Sequence, residues 1–118
     1  ATFGGNPLST AAGVAAFRVT HEDGILENCQ ESGAYFMKRL EGLKKKYSFI
    51  QEVRGKGLMI GMEFTREAKS AVNECLKKGF LINCTSDTVM RFVPPLVVTT
   101  EEIDLLVQAL DEIFSTWS

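Results

Sequence analysis

Apolar positions recur every three or four residues in four stretches of this chain and alternate with polar ones in the segments between. Leu8, Ala11, Ala12, Ala15, Ala16 and Val19 make the first helical stripe, opened by Asn6-Pro7 as cap and first turn and closed by Gly24. The stripe is mostly alanine, which predicts close packing against a neighbour. Leu26, Cys29, Gly33, Phe36, Leu40 and Leu43 make a second, longer one. Ala68, Ala71, Val72, Cys75 and Leu76 make a third, stopped at Gly79. Ile103, Leu106, Val107, Leu110, Ile113, Phe114 and Trp117 make the last, and Thr99 and Glu102 before it have the spacing of a capping box.

Strand periodicity fills the gaps. Phe49 to Val53 reads as a short strand, and Gly55 and Gly57 bracket Lys56 in a tight connection. Leu58, Ile60, Met62 and Phe64 then alternate with Met59, Gly61 and Glu63. Phe80 to Cys84 and Val89 to Val93 are two more strands around a Ser86-Asp87 turn, and Pro94-Pro95 breaks the second. The order helix, helix, strand, strand, helix, strand, strand, helix predicts an α+β fold. It is an antiparallel sheet of three to four strands covered by helices on one face, preceded by a long helix that stands apart from the compact unit.

Composition narrows the function classes. The 118 residues are 45% apolar and 24% charged with a net charge of -2, as in one soluble domain. No concentrated basic face is visible, so neither nucleic acid nor a membrane surface is the expected partner. No apolar run approaches the roughly 20 residues of a membrane span. Cys29, Cys75 and Cys84 have no CxxC spacing and read as free thiols in a reducing cytoplasm. With a single histidine, His21, and no clustered cysteines, no metal site is expected. The chain opens on Thr2-Phe3-Gly4-Gly5-Asn6-Pro7, which reads as the middle of a motif, so a piece of something larger is expected.

Three segments carry candidate chemistry. Arg91 lies in Val89-Met90-Arg91-Phe92-Val93, where alternation places it on one face with Val89 and Val93. A guanidinium among aliphatic neighbours calls for an anion, and its planar fork suits a carboxylate. The alternative is an edge-strand arginine that snorkels to water or pairs with Glu63. Thr2 to Pro7 offers a hydroxyl, glycine amides and a following helix, which together can cradle a phosphate; an ordinary loop and helix cap accounts for the same residues. Arg54-Gly55-Lys56-Gly57 lacks the GxxxxGK[ST] spacing and precedes a strand, so it is a connection and not a phosphate loop. No nucleophile and base stand together, and no catalytic residue is assigned.

Thr2 to Leu8, Val53 to Met59, and Leu81 through Arg91 to Leu96, in this order and spacing, resemble the C-terminal part of class III pyridoxal-phosphate aminotransferases. The resemblance implies a homodimeric cytoplasmic transaminase that moves the ω-amino group of N-acetylornithine, or of a related ω-amino acid, to 2-oxoglutarate, in arginine biosynthesis. It implies that residues 1–24 are a phosphate-loop remnant and interdomain linker helix and that residues 25–118 are the small C-terminal domain. It also implies that Thr2 contacts the phosphate of pyridoxal phosphate bound by the neighbouring subunit, that Ala1 lies near substrate, and that Arg91 pairs with a substrate carboxylate. The family usually has Ser or Thr where Ala1 stands. The lysine that anchors the cofactor lies upstream; Lys44, Lys45, Lys46, Lys56, Lys69, Lys77 and Lys78 do not match it. The chain alone is therefore expected to be inactive and to bind the cofactor weakly. The rival reading is a stand-alone α+β module that binds an amino acid or a partner without catalysis.

Overall fold

The computed structural model describes residues 2–117. Helix α1 (Pro7–Glu22) begins where the sequence predicts: the Asn6 side chain accepts a hydrogen bond from the Ser9 amide at 2.9 Å, and Pro7 occupies the first turn. Asp23 donates its amide back to Val19, and the chain turns through Gly24 into α2 (Ile25–Lys46). One face of α2 buries Ser32, Gly33, Phe36, Leu40 and Leu43, while Lys44 to Lys46 sit at its C-terminus, where their charge suits the helix dipole. Leu26, placed on the apolar face by its spacing, is half exposed.

Strands β1 (Ile50–Lys56) and β2 (Met59–Phe64) form a hairpin, α3 (Lys69–Lys77) follows, and β3 (Asn83–Thr85) and β4 (Val89–Phe92) form a second hairpin before α4 (Thr100–Ser115). The sheet is antiparallel throughout, in the order β1-β2-β4-β3. Ser86 and Asp87 both take positive φ, 51° and 60°, the sign combination of a type I′ hairpin turn. The α+β class, four strands and antiparallel pairing agree with the sequence reading.

The core lies between the sheet and α2, α3 and α4. Ile50, Val53, Ile60, Met62, Phe64, Met90 and Phe92 face it from the strands, and Ala71, Cys75, Ile103, Val107, Leu110 and Phe114 meet them from the helices. Aromatic rings lock the layers edge to face: Phe36 against Phe92 at 5.3 Å between centroids, and Phe64 against Phe114 at 5.5 Å. Polar seams fix α2 to α4. Arg39 pairs with Asp104, and Lys46 and the Tyr47 hydroxyl both donate to Asp111, holding its carboxyl below the usual range. The capping box is formed: Glu102 donates its amide to Thr99 Oγ1 and accepts the Thr99 amide at 3.0 Å.

Three local expectations are corrected. The first hairpin extends to Lys56, because Arg54, Gly55 and Lys56 all pair with β2, and the reversal is made at Gly57 with φ of 56°. Residues 80–82 are not strand: the Phe80 amide donates to the Cys75 carbonyl and closes the end of α3, leaving β3 only three residues. Within the described residues the alanine stripe of α1 meets no close neighbour: the helix packs mainly against α2 and buries no residue.

Candidate functional site

Alternation along β4 sends Met90 and Phe92 into the core and Arg91 to the opposite face of the sheet, which no helix among the described residues covers. Pairing register lines up Arg54, Gly61, Arg91 and Asn83 across the four strands, with Glu52, Glu63, Val89 and Thr85 forming the next row. Arg54 Nη1 donates to Glu63 Oε2 at 2.6 Å and to Glu52 Oε2 at 2.8 Å. The hydrogen bond to Glu63, with the charge of Glu52, raises its pKa further and keeps it a committed cation.

Arg91 has no hydrogen bond or ion pair to any of the described residues. The sequence reading expected a guanidinium enclosed by aliphatic neighbours. Here the side chain is exposed, because it projects from the bare side of the sheet, and Val93, just past the end of the strand, is 56% exposed. Of the alternatives, pairing with Glu63 is not made, since Glu63, a diagonal neighbour of both arginines, is taken by Arg54. A side chain that reaches water is what this chain by itself shows, although from an inner strand and not an edge. What the fold presents is a charged, planar guanidinium on an open face, with the acids of the neighbouring row engaged by Arg54.

Two residues that sequence reasoning passed over hold the segment leaving Arg91. Asn28 Nδ2 donates to the Leu96 carbonyl at 2.7 Å and to the Val98 carbonyl at 3.2 Å, and the buried Ser32 hydroxyl donates to Asn28 Oδ1 at 3.0 Å. The signal was a buried-stripe serine four residues from an asparagine on α2. Their partners, almost 70 residues away, were not visible. Below this segment lies a groove of about 520 Å³ lined by Phe36, Phe80, Leu81, Phe92, Pro95 and Leu106. It is apolar, and its carboxylate, Glu102, is engaged by the helix cap.

At the other candidate segment, Thr2 is exposed in the turn before α1, and its hydroxyl has no hydrogen-bond partner among the described residues. Gly5 takes φ of 79°, and Asn6 Nδ2 donates to the Phe3 carbonyl at 2.9 Å, so the turn is shaped from within. An unengaged hydroxyl beside a glycine turn and a helix start fits one end of a phosphate group and supplies nothing for the rest of a cofactor. No hydrogen bond joins Thr2 to Arg91, and Ala1 lies outside the described residues.

Phe17 packs on the His21 ring at 4.2 Å. All three cysteines are free thiols; burial pushes the Cys75 thiol up to about 11 and raises that of Cys84, which disfavours the thiolate form of both. Lys46, Lys77 and Lys78 are tied to Asp111, Glu74 and Glu112. Among the described residues, no group of three or more His, Cys, Asp or Glu is placed to hold a metal ion, and no helix is long and apolar enough to cross a membrane.

Known proteins resemble this chain along nearly its whole length. The family profile described as Aminotransferase class-III matches residues 1–114. An acetylornithine aminotransferase of Methanocaldococcus jannaschii is 54% identical over 114 residues, covering 97% of this chain and 29% of that protein. An ornithine aminotransferase of Exiguobacterium sp. is 41% identical over 114 residues, covering 97% and 28%. Among solved structures, the ornithine aminotransferase of Toxoplasma gondii, recorded with partial occupancy of PLP at its active site, superposes with a TM-score of 0.87 at 34% identity, covering 97% of this chain and 28% of that one. The acetylornithine aminotransferase of Elizabethkingia anophelis gives 0.84 at 33% identity, covering 95% and 30%. The chain therefore spans under a third of the length of these relatives. Matched along nearly all its length, it belongs to the class III aminotransferases.

Proposed function

We propose that this chain is the C-terminal portion of a pyridoxal-phosphate-dependent transaminase that takes the ω-amino group of N-acetylornithine, or of a related ω-amino acid, and delivers it to 2-oxoglutarate. In this reading residues 25–118 are the small domain and residues 1–24 are the phosphate-loop turn and the helix that leads into it. The observation that carries it is Arg91: an unpaired guanidinium on an uncovered sheet face, in a chain of this family.

Arg91 binds a substrate carboxylate through two parallel N–H donors and so fixes which end of the substrate reaches the reacting centre. The neighbouring Arg54–Glu63 pair leaves it available for that role. Thr2 donates its hydroxyl to the cofactor phosphate of the neighbouring subunit in a homodimer, and Ala1 stands near the substrate. The cofactor, when bound, supplies the electron sink for amino transfer. The anchoring lysine is not among this chain's lysines, so the chain alone neither transaminates nor holds the cofactor tightly. A reducing cytoplasm and a role in arginine biosynthesis accord with the free thiols and with the names of the relatives.

Arg91→Ala, placed in the complete transaminase, is expected to raise KM for carboxylate-bearing substrates by about 30-fold, the loss of one charge-assisted contact of about 2 kcal/mol. Steady-state kinetics that match the parent would remove the role. Calorimetry on this chain by itself should register no amino-acid binding; tight binding would favour a stand-alone module instead.

A further inference from the structure

Close packing or backbone conformation explains the glycines of the first hairpin, with one exception. A Cβ on Gly55 would lie 2.7 Å from the Met59 carbonyl oxygen, and Gly57 needs positive φ. Gly61 has neither reason. It lies inside β2 without a positive φ, and a Cβ there would meet nothing nearer than Val89 Cγ1 at 3.6 Å, an ordinary contact. Glycine inside a strand weakens the strand, and it also marks places where a ligand or another backbone comes close. Among the described residues, Gly61 is thus the strand glycine that the fold of this chain does not require.

Its position gives it a use. Register sets Gly61 directly between Arg54 and Arg91 on the uncovered face. Neighbouring strands lie about 4.8 Å apart, so a side chain at 61 would rise immediately beside the stem of Arg91. The Arg91 side chain does not itself fill this gap, because none of its atoms is within 4 Å of the Cβ position. On the far side Arg54 is held by Glu52 and Glu63 and walls the gap off. The result is a bare strip of sheet with a fixed cation on one edge and a free one on the other.

We propose that Gly61 is a specificity-determining residue: by carrying no side chain it leaves the strip beside Arg91 open, so that the carboxylate end of an amino-acid or oxo-acid substrate lies flat on β2 while the guanidinium grips it. This rests on the carboxylate-binding reading of Arg91. Bulk at position 61 would lift the ligand away from the fork without touching the core, because Gly61 faces away from Ile60 and Met62.

The test uses Gly61→Ala, Gly61→Val and Arg91→Ala in the complete transaminase, assayed with carboxylate substrates and with a simple alkyl amine donor that has no carboxylate. Gly61→Val should raise KM for the carboxylate substrates at least 10-fold, leave KM for the plain amine within 2-fold, and melt no lower than the parent. Gly61→Ala should show the same selective effect, smaller. Unchanged carboxylate KM in Gly61→Val, or equal loss with both substrate types, overturns the proposal. If Gly61→Val does not fold, Gly61→Ala decides: a selective rise supports the proposal, and parental KM overturns it. Arg91→Ala separates the two layers. No effect there removes the reading beneath, whereas a strong effect with Gly61→Val silent removes only the role of Gly61.

Discussion

Arg54 and Arg91 flank the same glycine, yet their surroundings give them opposite roles. Two carboxylates saturate Arg54, whereas Arg91 faces outward with its donors unengaged. The sequence reading offered Glu63 to Arg91 alone and left Arg54 in a connection; pairing register makes both arginines diagonal neighbours of Glu63. Cys75 shows burial acting on a single group. Its thiol is fully enclosed and pushed up to about 11 from 9.0. The unfolded thiol ionises near pH 9, while the folded one keeps its proton to about 11, so the unfolded state binds fewer protons in that window and stability falls as pH rises through it. Urea melts of the parent and Cys75→Ala between pH 8 and 11 should show the parent losing its advantage over the variant. A pH-independent difference would contradict this burial effect.

At the scale of elements, α2 is the member against which the others are placed. Gly33 lets it lie directly on the β1–β2 turn, where a Cβ would run into the Gly57 carbonyl. Asn28 and Ser32 tie it to the segment after β4, and Phe36 meets Phe92 on β4 itself. Gly33→Ala must push the hairpin off the helix, since backbone cannot swing aside as a side-chain tip can. It should cost about 1–3 kcal/mol in chemical denaturation despite the better helix propensity of alanine. A neutral or stabilising result would mean that the turn yields without cost. The capping box and the turn at Ser86-Asp87 were legible because each is written in nearby residues, Thr99 with Glu102 and Ser86 with Asp87, while the positive φ of both turn residues came from the structure. The strand expected at 80–82 was lost to α3, whose end takes the Phe80 amide first.

For the whole molecule, the contrast is between a closed core and two open surfaces. One surface is the sheet face with Arg91. The other is α1, where Leu8 and Phe17 are 82% and 67% exposed and no residue is buried. Helices of this length are marginal without tertiary support. Amide exchange along α1 should therefore run well ahead of exchange in α2 and α4, whose buried faces open only with the core. Equal protection of all three in this chain would show that α1 is stabilised by contacts the fold does not reveal. Both open surfaces accord with the proposed transaminase, in which the remaining two-thirds of the length would lie against them.

The sequence by itself determined the α+β class, the four helices, most strand positions, the caps and turns, and the family, because each is encoded in short-range periodicity or in ordered local motifs. It also singled out Arg91 as the group to watch. Only the tertiary structure decided that β4 inserts between β2 and β3, that Arg54 takes Glu63, that Asn28 reaches Leu96, and that Gly61 borders the free guanidinium. Those outcomes depend on which distant segments become neighbours once apolar faces are buried, and spacing along a chain does not specify that.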